Sequence, residues 1–184
     1  PFVNAVAILS LALGIGANAA IYSLFAQILL RPLPVAAPHE LVTLNLPGPI
    51  QGNDSCNQSG CGEGIIWSYP MVRDLERSQT VLAGIAGYRI FGASIALGDE
   101  PTVGEGSWVT GGYFPTLRLR PALGRLLGPS DNEPGADNMV AVIAHRFWID
   151  RFGGRPDAMG QPLKVNGRAY TIVGVAPDGF DGIT

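Results

Sequence analysis

From Pro1 to Leu30 the sequence contains no aspartate, glutamate, lysine or arginine, and the first charged side chain is Arg31. A helix that is apolar on every face lies either in a protein core or in a membrane. A stretch of about 20 mainly apolar residues is enough to cross a hydrocarbon core of about 30 Å. Pro32 and Pro34 follow at once, and proline cannot continue a helix. We therefore predict a transmembrane helix over residues 1–31 that ends near Leu30, with Arg31 reaching the interface.

Three other interpretations of this run fit less well. Gly14, Gly16 and Ala19 match the dinucleotide-binding pattern G-x-G-x-x-A, but no turn and second parallel strand follow before the prolines. The segment Ala17–Ala19 has the form of a signal-peptide cleavage site, yet no basic segment precedes it and the apolar run continues beyond it. A buried helix of a soluble protein would need a larger remainder of the chain to enclose it.

Small residues recur every four positions within this run, at Ala12, Gly16 and Ala20. Such spacing lets helices approach each other closely in lipid. Two interpretations stay open. Either alanine is simply frequent here, or the helix packs against membrane helices that this chain does not supply.

Clusters of lysine and arginine are also absent, and the formal net charge is −3. This composition argues against nucleic acid as a partner. No serine lies in a G-x-S-x-G motif, and the glycines near the end of the sequence are not followed by the Lys-Ser/Thr of a phosphate-binding loop. The sequence therefore offers no residues that we assign to catalysis or to a cofactor.

Two weaker candidates for chemistry remain. His145 follows an apolar run and opens a predicted helix, and as a general base it would make the chain a tethered hydrolase, but no nucleophile is identifiable for it. We favour a capping or interface histidine. Asp131, Glu133 and Asp137 lack the spacing and the closing glutamate of an EF-hand, so we expect a solvated acidic loop and no metal site.

The only cysteines are Cys56 and Cys61, in a C-x-x-x-x-C arrangement. A redox motif of the thioredoxin kind needs C-x-x-C, and a zinc site needs about four ligands, while His39 and His145 lie far away in the sequence. We favour a local disulfide, which would place this loop in an oxidising compartment. Two unrelated free thiols are the alternative.

About 150 residues follow Arg31, which is the size of one ordinary domain or two small ones. The chain begins with proline and ends in PDGFDGIT, so we expect it to be a piece of a longer protein. Strand and helix signals alternate along this part. In its first half they are a strand at 41–46, an exposed loop at 47–64, a helix at 69–78 capped by Ser68, and strands at 88–97 and 102–110 around a turn at 98–100.

The second half continues in the same way. It begins with a short helix at 111–117, a compact turn at 120–125 and a surface loop at 129–138. A central strand covered on both faces follows at 139–144, and then a helix at 145–152 with Phe147, Trp148 and Phe152 near one face. The last predicted element is a hairpin of 163–165 with 170–175 around Asn166-Gly167. In the strand before the short helix, Glu105 between two glycines indicates a bulge or an exposed face. The fold class is therefore α+β with antiparallel hairpins.

Several segments, specific in combination, carry a family resemblance. They are the run Ala5–Val35, Tyr69-Pro70, Val109–Phe114 with Leu123–Arg125, His145–Trp148, Gly160, and Asn166-Gly167 through Pro177 to Phe180. Together they resemble the first transmembrane segment and the MacB-like periplasmic core domain of ABC-transporter permeases of the MacB/FtsX type, especially the ADOP subgroup. The resemblance covers nearly the whole chain, but the loop with Cys56 and Cys61 has no counterpart that we can assign to the family.

The resemblance implies a transmembrane helix at 1–31 and a mixed α/β extracytoplasmic domain at 32–184, in the bacterial inner membrane with the domain in the periplasm. The chain would then be a fragment of a permease subunit that performs no chemistry and needs no cofactor. Its domain would sense or transmit conformational change driven by a separate ATPase, in efflux or mechanotransmission. The implied partners are a cytoplasmic ABC ATPase, the remaining transmembrane helices, and a second permease in a homodimer or pseudo-dimer.

One rival from another class stays open: a membrane-tethered extracytoplasmic binding or interaction module with no ATPase partner. The sequence contains no Walker motif of its own. Arg31 on the outer side is a mild count against the implied orientation, because positive residues favour the cytoplasmic side. The orientation therefore rests on the resemblance and on the cysteines.

Overall fold

The computed structural model describes residues 2–29, 34–44, 67–98, 100–133, 135 and 139–183. It divides into two compact units, Pro1–Leu33 and Pro34–Thr184. The predicted loop at 47–64, with Cys56 and Cys61, lies outside the described residues. Its disulfide therefore stays a prediction.

The first unit is a single helix, α1, over Phe2–Leu29. Its segment Phe2–Phe25 has a mean hydropathy of 1.9 and is long and apolar enough to cross a membrane. The side chains of this segment are exposed along its whole length, as expected of a helix whose partner is lipid rather than a protein core. The predicted N-terminal apolar helix is confirmed.

The second unit is a mixed α/β domain built on a six-stranded sheet. Its helices are α2 (Tyr69–Ser78), α3 (Tyr113–Thr116) and α4 (His145–Phe152), and its strands are β1 (Tyr88–Leu97), β2 (Glu100–Val109), β3 (Leu123–Gly124), β4 (Val140–Ile143), β5 (Pro162–Val165) and β6 (Arg168–Val175). The sheet path is β2-β1-β5-β6-β3, and β4 pairs with β6. The predicted α+β class with antiparallel hairpins is confirmed.

The first hairpin pairs β1 with β2 over ten residues each, in an unbroken antiparallel register. Leu97 lies opposite Glu100, so the turn is tighter than predicted and Glu100 already belongs to β2. The register has no bulge at Glu105, which faces Gly92 and is exposed. Of the two interpretations of Glu105, the exposed face is therefore the correct one.

The second hairpin joins β5 to β6 through Asn166 and Gly167, with backbone φ angles of 48° and 80°. Two positive φ angles define the tight hairpin turn that Asn-Gly favours. The same turn also contacts β1, because the Asn166 amide accepts a hydrogen bond from the Ser94 N–H at 2.8 Å and donates one to the Gly92 carbonyl at 3.3 Å. The Asn166 side chain thus forms hydrogen bonds with two backbone groups of β1.

Strand β4 differs from its prediction in one respect. It pairs, in parallel, with β6 alone in the described chain, so it does not have the central place in the sheet that its apolar composition indicated. Both of its faces are nevertheless covered, since Val142 packs with one hydrophobic cluster and Ile143 with the other. Coverage of both faces, not central position, explains the continuous apolar run.

The predicted strand at 41–46 is wrong for its described part. A 3₁₀ turn at Pro38–Glu40 comes first, and Leu41–Leu44 has no strand partner in the described chain. Leu41 instead packs against the cluster around α3, and the Leu44 carbonyl accepts a hydrogen bond from the Trp67 indole at 3.1 Å. The predicted compact turn at 120–125 contains the short strand β3, which pairs with the end of β6.

Two hydrophobic clusters cover the two faces of the sheet, because successive strand residues such as Val142 and Ile143 of β4 belong to different clusters. The α4 cluster has Ile172 and Val175 at its centre, and Phe152 of α4 is buried in it as predicted. Phe147 and Trp148 pack against the same cluster. The α3 cluster lies on the other face and is built around Tyr113, Phe114, Leu117, Ala176 and Phe180.

Candidate functional site

The described residues contain no group of three or more histidine, cysteine, aspartate or glutamate side chains placed to hold a metal ion. His145 is the first residue of α4, and Ala144 is the capping residue, so His145 is not a cap. Its Nδ1 lies 3.3 Å from Asp178 Oδ1, and its ring meets Trp148 edge to face. His145 thus connects α4 to the segment after β6, which is the interface role that we favoured.

The shallow recess beside His145 gives no support to a hydrolase. It is lined by His145, Arg146, Ile149, Asp150, Asp178, Gly179 and Asp181. These side chains include no serine, threonine or cysteine that His145 would activate as a general base.

One residue of the predicted acidic loop, Asp131, has a structural role. Asp131 forms two hydrogen bonds of 2.7 Å with the Arg125 guanidinium and accepts a third from the Gly128 N–H at 2.9 Å. The hydrogen bond from Arg125 lowers the pKa of the Asp131 carboxyl, and the same bond raises the pKa of Arg125. The prediction of a solvated acidic loop is therefore wrong for Asp131. It holds for Glu133, which is exposed, while Asp137 lies outside the described residues.

The arrangement that best fits a transmission role surrounds α3, and we name it the α3 junction. It consists of the α3 cluster together with the side chains that pack on it from neighbouring segments: Val35, Leu41, Ala86, Val109, Leu119, Leu126, Leu127, Val142 and Ile183. Tyr113 is its aromatic centre. The Tyr113 ring lies 5.1 Å from that of Phe114, 6.1 Å from Tyr88 and 6.4 Å from Phe180, measured between centroids.

The Tyr113 hydroxyl is strongly perturbed by this packing. Burial raises its pKa to about 12, the neighbouring Tyr88 adds to the rise, and a hydrogen bond with the Ile183 backbone partly offsets it. The Tyr88 hydroxyl donates a hydrogen bond to the Ile183 carbonyl at 3.3 Å. Both tyrosines therefore hold the segment that follows β6.

Glycine before α3 makes this packing possible. A Cβ atom at Gly112 would lie 2.3 Å from the Ile85 carbonyl oxygen, and one at Gly111 would lie 2.7 Å from the Gly128 carbonyl oxygen. Both neighbours are backbone atoms, which cannot move aside as a side chain can. The two glycines therefore let the chain pass between two other segments and present Tyr113 and Phe114 to the core.

The segment Pro34–Leu44 follows α1 in the sequence, and we name it the lead-out segment. Val35 and Leu41 pack on the α3 cluster. Glu40 forms an ion pair with Arg118 at 2.9 Å, just after α3, and Arg118 has a left-handed backbone with φ of 53°. The lead-out segment is thus attached to the α3 junction by two apolar side chains and one charged pair.

The remaining predicted site residues belong to the first unit. Ala12, Gly16 and Ala20 lie on α1 and are exposed, and a Cβ built at Gly16 meets nothing within 4 Å. Their role in helix packing therefore stays a prediction. Sequence reasoning missed the Arg118 ion pair, the contact of Asn166 with β1 and the Arg125–Asp131 pair, because each depends on a partner that no local pattern reveals.

Residues 5–184 match the family described as the MacB-like periplasmic core domain. The chain belongs to this family, and the recognition of a MacB/FtsX-type ABC-transporter permease is confirmed. The finer assignment to the ADOP subgroup stays a prediction. A search of curated proteins found no match.

Two solved structures have a similar fold. The extracellular domain of the noncanonic ABC-type transporter YknZ from Gram-positive bacteria matches with a TM-score of 0.53 and 16% identity, over 62% of this chain and 59% of that one. The periplasmic region of MacB from Actinobacillus actinomycetemcomitans matches with a TM-score of 0.50 and 19% identity, over 58% and 49%. The chain thus matches about half of the length of either domain.

Proposed function

We propose that this chain is part of the permease of an ABC transporter, and that its α/β domain conveys conformational change driven by a separate cytoplasmic ATPase. The observation that carries the proposal is the family match over residues 5–184, which includes both the candidate membrane span and the domain. In this proposal α1 crosses the bacterial inner membrane and the domain lies in the periplasm.

The α3 junction supplies a physical route for such motion. The lead-out segment follows α1 after four intervening residues and packs on α3 through Val35 and Leu41. Packed interfaces switch between discrete arrangements rather than deforming continuously. A displacement of the end of α1 would therefore shift the lead-out segment to another arrangement on α3, and the change would pass towards the sheet through Val109 and Ala176 of the same cluster.

The remaining partners are inferred from the family. Further transmembrane helices would complete the permease, and a second permease would form a homodimer or pseudo-dimer around a shared pathway. Ala12, Gly16 and Ala20 offer a face of α1 on which another membrane helix can pack closely.

A distance measurement across the α3 junction tests the proposal. The full-length permease, reconstituted with its ATPase, would carry spin labels at Thr43→Cys and Ser107→Cys in a background with Cys56→Ser and Cys61→Ser. We expect the distance distribution to shift when ATP and vanadate trap the ATPase, because the lead-out segment moves relative to the exposed face of β2.

The matched control pair is Thr171→Cys with Ser107→Cys, which joins two exposed strand positions of the sheet. This distance should stay constant. An unchanged Thr43–Ser107 distance during ATP turnover would contradict transmission through the junction. If no ATPase co-purifies with the full-length protein, the tethered binding module becomes the better explanation.

A further inference from the structure

A group of uncharged side chains lies in and next to the lead-out segment, and we name it the interfacial patch: Val42, Leu44, Tyr69 and Met71, which are exposed, and Trp67, which is half-buried. Val42 is 66% exposed, Tyr69 50% and Met71 44%. The Trp67 indole N–H donates a hydrogen bond to the Leu44 carbonyl, which joins the end of the lead-out segment to the start of α2. The two parts of the patch are therefore neighbours in space.

The patch contains no charge. Neither Leu41–Leu44 nor Trp67–Val72 includes an acidic or basic residue. Glu40, just before the first segment, is paired with Arg118, and Arg73, just after the second, lies 3.6 Å from Glu76. Burial of this surface away from water would therefore not desolvate an unpaired charge.

The covalent chain limits the distance between the end of α1 and the lead-out segment. Fully extended, the residues from Leu29 to Val35 reach at most about 21 Å. Val35 is already packed on the α3 cluster, and Val42 and Leu44 belong to the same lead-out segment. The patch thus lies in the part of the domain that the sequence joins most directly to α1.

We propose that the interfacial patch inserts into the boundary between headgroups and acyl chains in the outer leaflet of the membrane that α1 crosses. This inference rests on the proposed function, because it requires α1 to span that membrane. Tryptophan and tyrosine favour this boundary, since each combines an apolar ring with a polar N–H or O–H. Here the Trp67 N–H is bonded to the Leu44 carbonyl, and the Tyr69 hydroxyl accepts a hydrogen bond from the Asn132 side chain at 2.8 Å, so both polar groups are satisfied within the protein. Val42, Leu44 and Met71 add apolar surface around them.

Fluorescence of single tryptophans in lipid tests the proposal. The chain has three tryptophans, Trp67, Trp108 and Trp148. The variant Trp108→Phe/Trp148→Phe keeps only Trp67, and the matched variant Trp67→Phe/Trp148→Phe keeps only Trp108, which is 51% exposed on β2. Both would be reconstituted in phosphatidylcholine vesicles that contain lipids brominated near the headgroup end of the acyl chains.

We expect brominated lipid to quench Trp67 about twofold more than Trp108, because only the interfacial patch enters the acyl boundary. Val42→Asp should reduce the quenching of Trp67, whereas Val103→Asp, at an even more exposed position of β2, should not. Equal quenching of the two tryptophans would overturn the proposal. A Trp67 that is shielded from acrylamide but not quenched by lipid would also overturn it, and would indicate that protein covers the patch.

Flotation of the same vesicles after alkaline extraction separates the two proposals. Protein that floats while Trp67 remains unquenched would support the membrane helix and contradict only the insertion of the interfacial patch. Protein that stays at the bottom of the gradient would contradict the membrane span, and the interfacial patch would fall with it.

Discussion

The two faces of the sheet are packed in different ways. The α4 face is packed around two aliphatic side chains, Ile172 and Val175, which are completely buried, with Phe152 of α4 beside them. The α3 face is aromatic, depends on two glycines for its close approach, and also holds the lead-out segment and the segment after β6. One face therefore provides stability, while the other joins segments that arrive from elsewhere in the chain. The following substitutions test this difference.

The largest expected effect is on the α4 face. Ile172→Ala leaves a cavity at a site with no exposed surface, and such a change costs about 2–5 kcal/mol of unfolding free energy. Chemical denaturation followed by circular dichroism measures it. Val103→Ala, at a position 90% exposed, should remain within about 0.5 kcal/mol of the parent. A small loss at Ile172 would show that the α4 face is not the stabilising one.

The next effect is on the α3 face. Gly112→Ala places a Cβ atom 2.3 Å from the Ile85 carbonyl oxygen, so the backbone must shift, at a cost of about 1–3 kcal/mol. Gly92→Ala is the matched control, because a Cβ atom there meets nothing within 4 Å. Hydrogen exchange should show new opening at α3 and the lead-out segment in Gly112→Ala, with the α4 face still protected. Uniform loss of protection would contradict separate roles of the faces.

The buried Tyr113 hydroxyl predicts a loss of stability at alkaline pH. Its folded pKa of about 12 lies above the ordinary value of 10.0, so the folded state keeps the proton longer than the unfolded chain does. The stabilisation is complete below pH 10 and is lost as the pH rises towards 12. Tyr113→Phe should flatten this part of the stability profile measured by denaturation between pH 9 and 12, and an unchanged profile would show that Tyr113 does not cause the alkaline loss.

A smaller effect concerns the attachment of the first hairpin to the rest of the sheet. Asn166→Gly preserves the positive φ of the turn but removes the amide that pairs with Ser94 and Gly92, at a cost of about 1–2 kcal/mol. Hydrogen exchange at the Ser94 amide measures the change. Asn166→Asp keeps the acceptor for Ser94 but loses the donor to Gly92, so it should retain part of the protection. Equal protection in all three proteins would show that the amide is not needed.

The smallest expected effect is on the Glu40–Arg118 ion pair. Both side chains are about half exposed, and such pairs contribute about 0–1 kcal/mol. Glu40→Gln should therefore barely change the denaturation midpoint. In the reconstituted transporter it should broaden the Thr43–Ser107 distance distribution, because it loosens the lead-out segment. Glu105→Gln, on the exposed face of β2, should leave this distribution unchanged.

Local patterns in the sequence predicted most of the fold. Ser68 before Tyr69-Pro70 predicted α2, the apolar spacing of Phe147 and Phe152 predicted α4, and Asn166-Gly167 predicted the second hairpin. Each pattern acts over a few residues, so one sequence suffices to recognise it. The error at Leu41–Leu44 has the opposite cause, because contacts with α3 and Trp67 determine that segment.

The candidate site was less accessible to sequence reasoning. The residues Gly111-Gly112-Tyr113-Phe114 predicted the short helix α3, but the need for glycine there depends on Ile85 and Gly128, which pass on either side. Arg118 and Glu40 form a pair only after the lead-out segment has packed on the domain. Such long-range relationships require the three-dimensional arrangement or a set of related sequences.

The contact of Asn166 with β1 has a consequence for folding during synthesis. The β1–β2 hairpin is a local structure that forms within microseconds of its own completion. Its attachment to the sheet, however, requires Asn166, which lies 57 residues after Val109, the last residue of the hairpin. At a translation rate of about 5–20 residues per second this interval is about 3–11 s. For that time the nascent chain exposes a finished but unattached β-ribbon, to which a chaperone can bind.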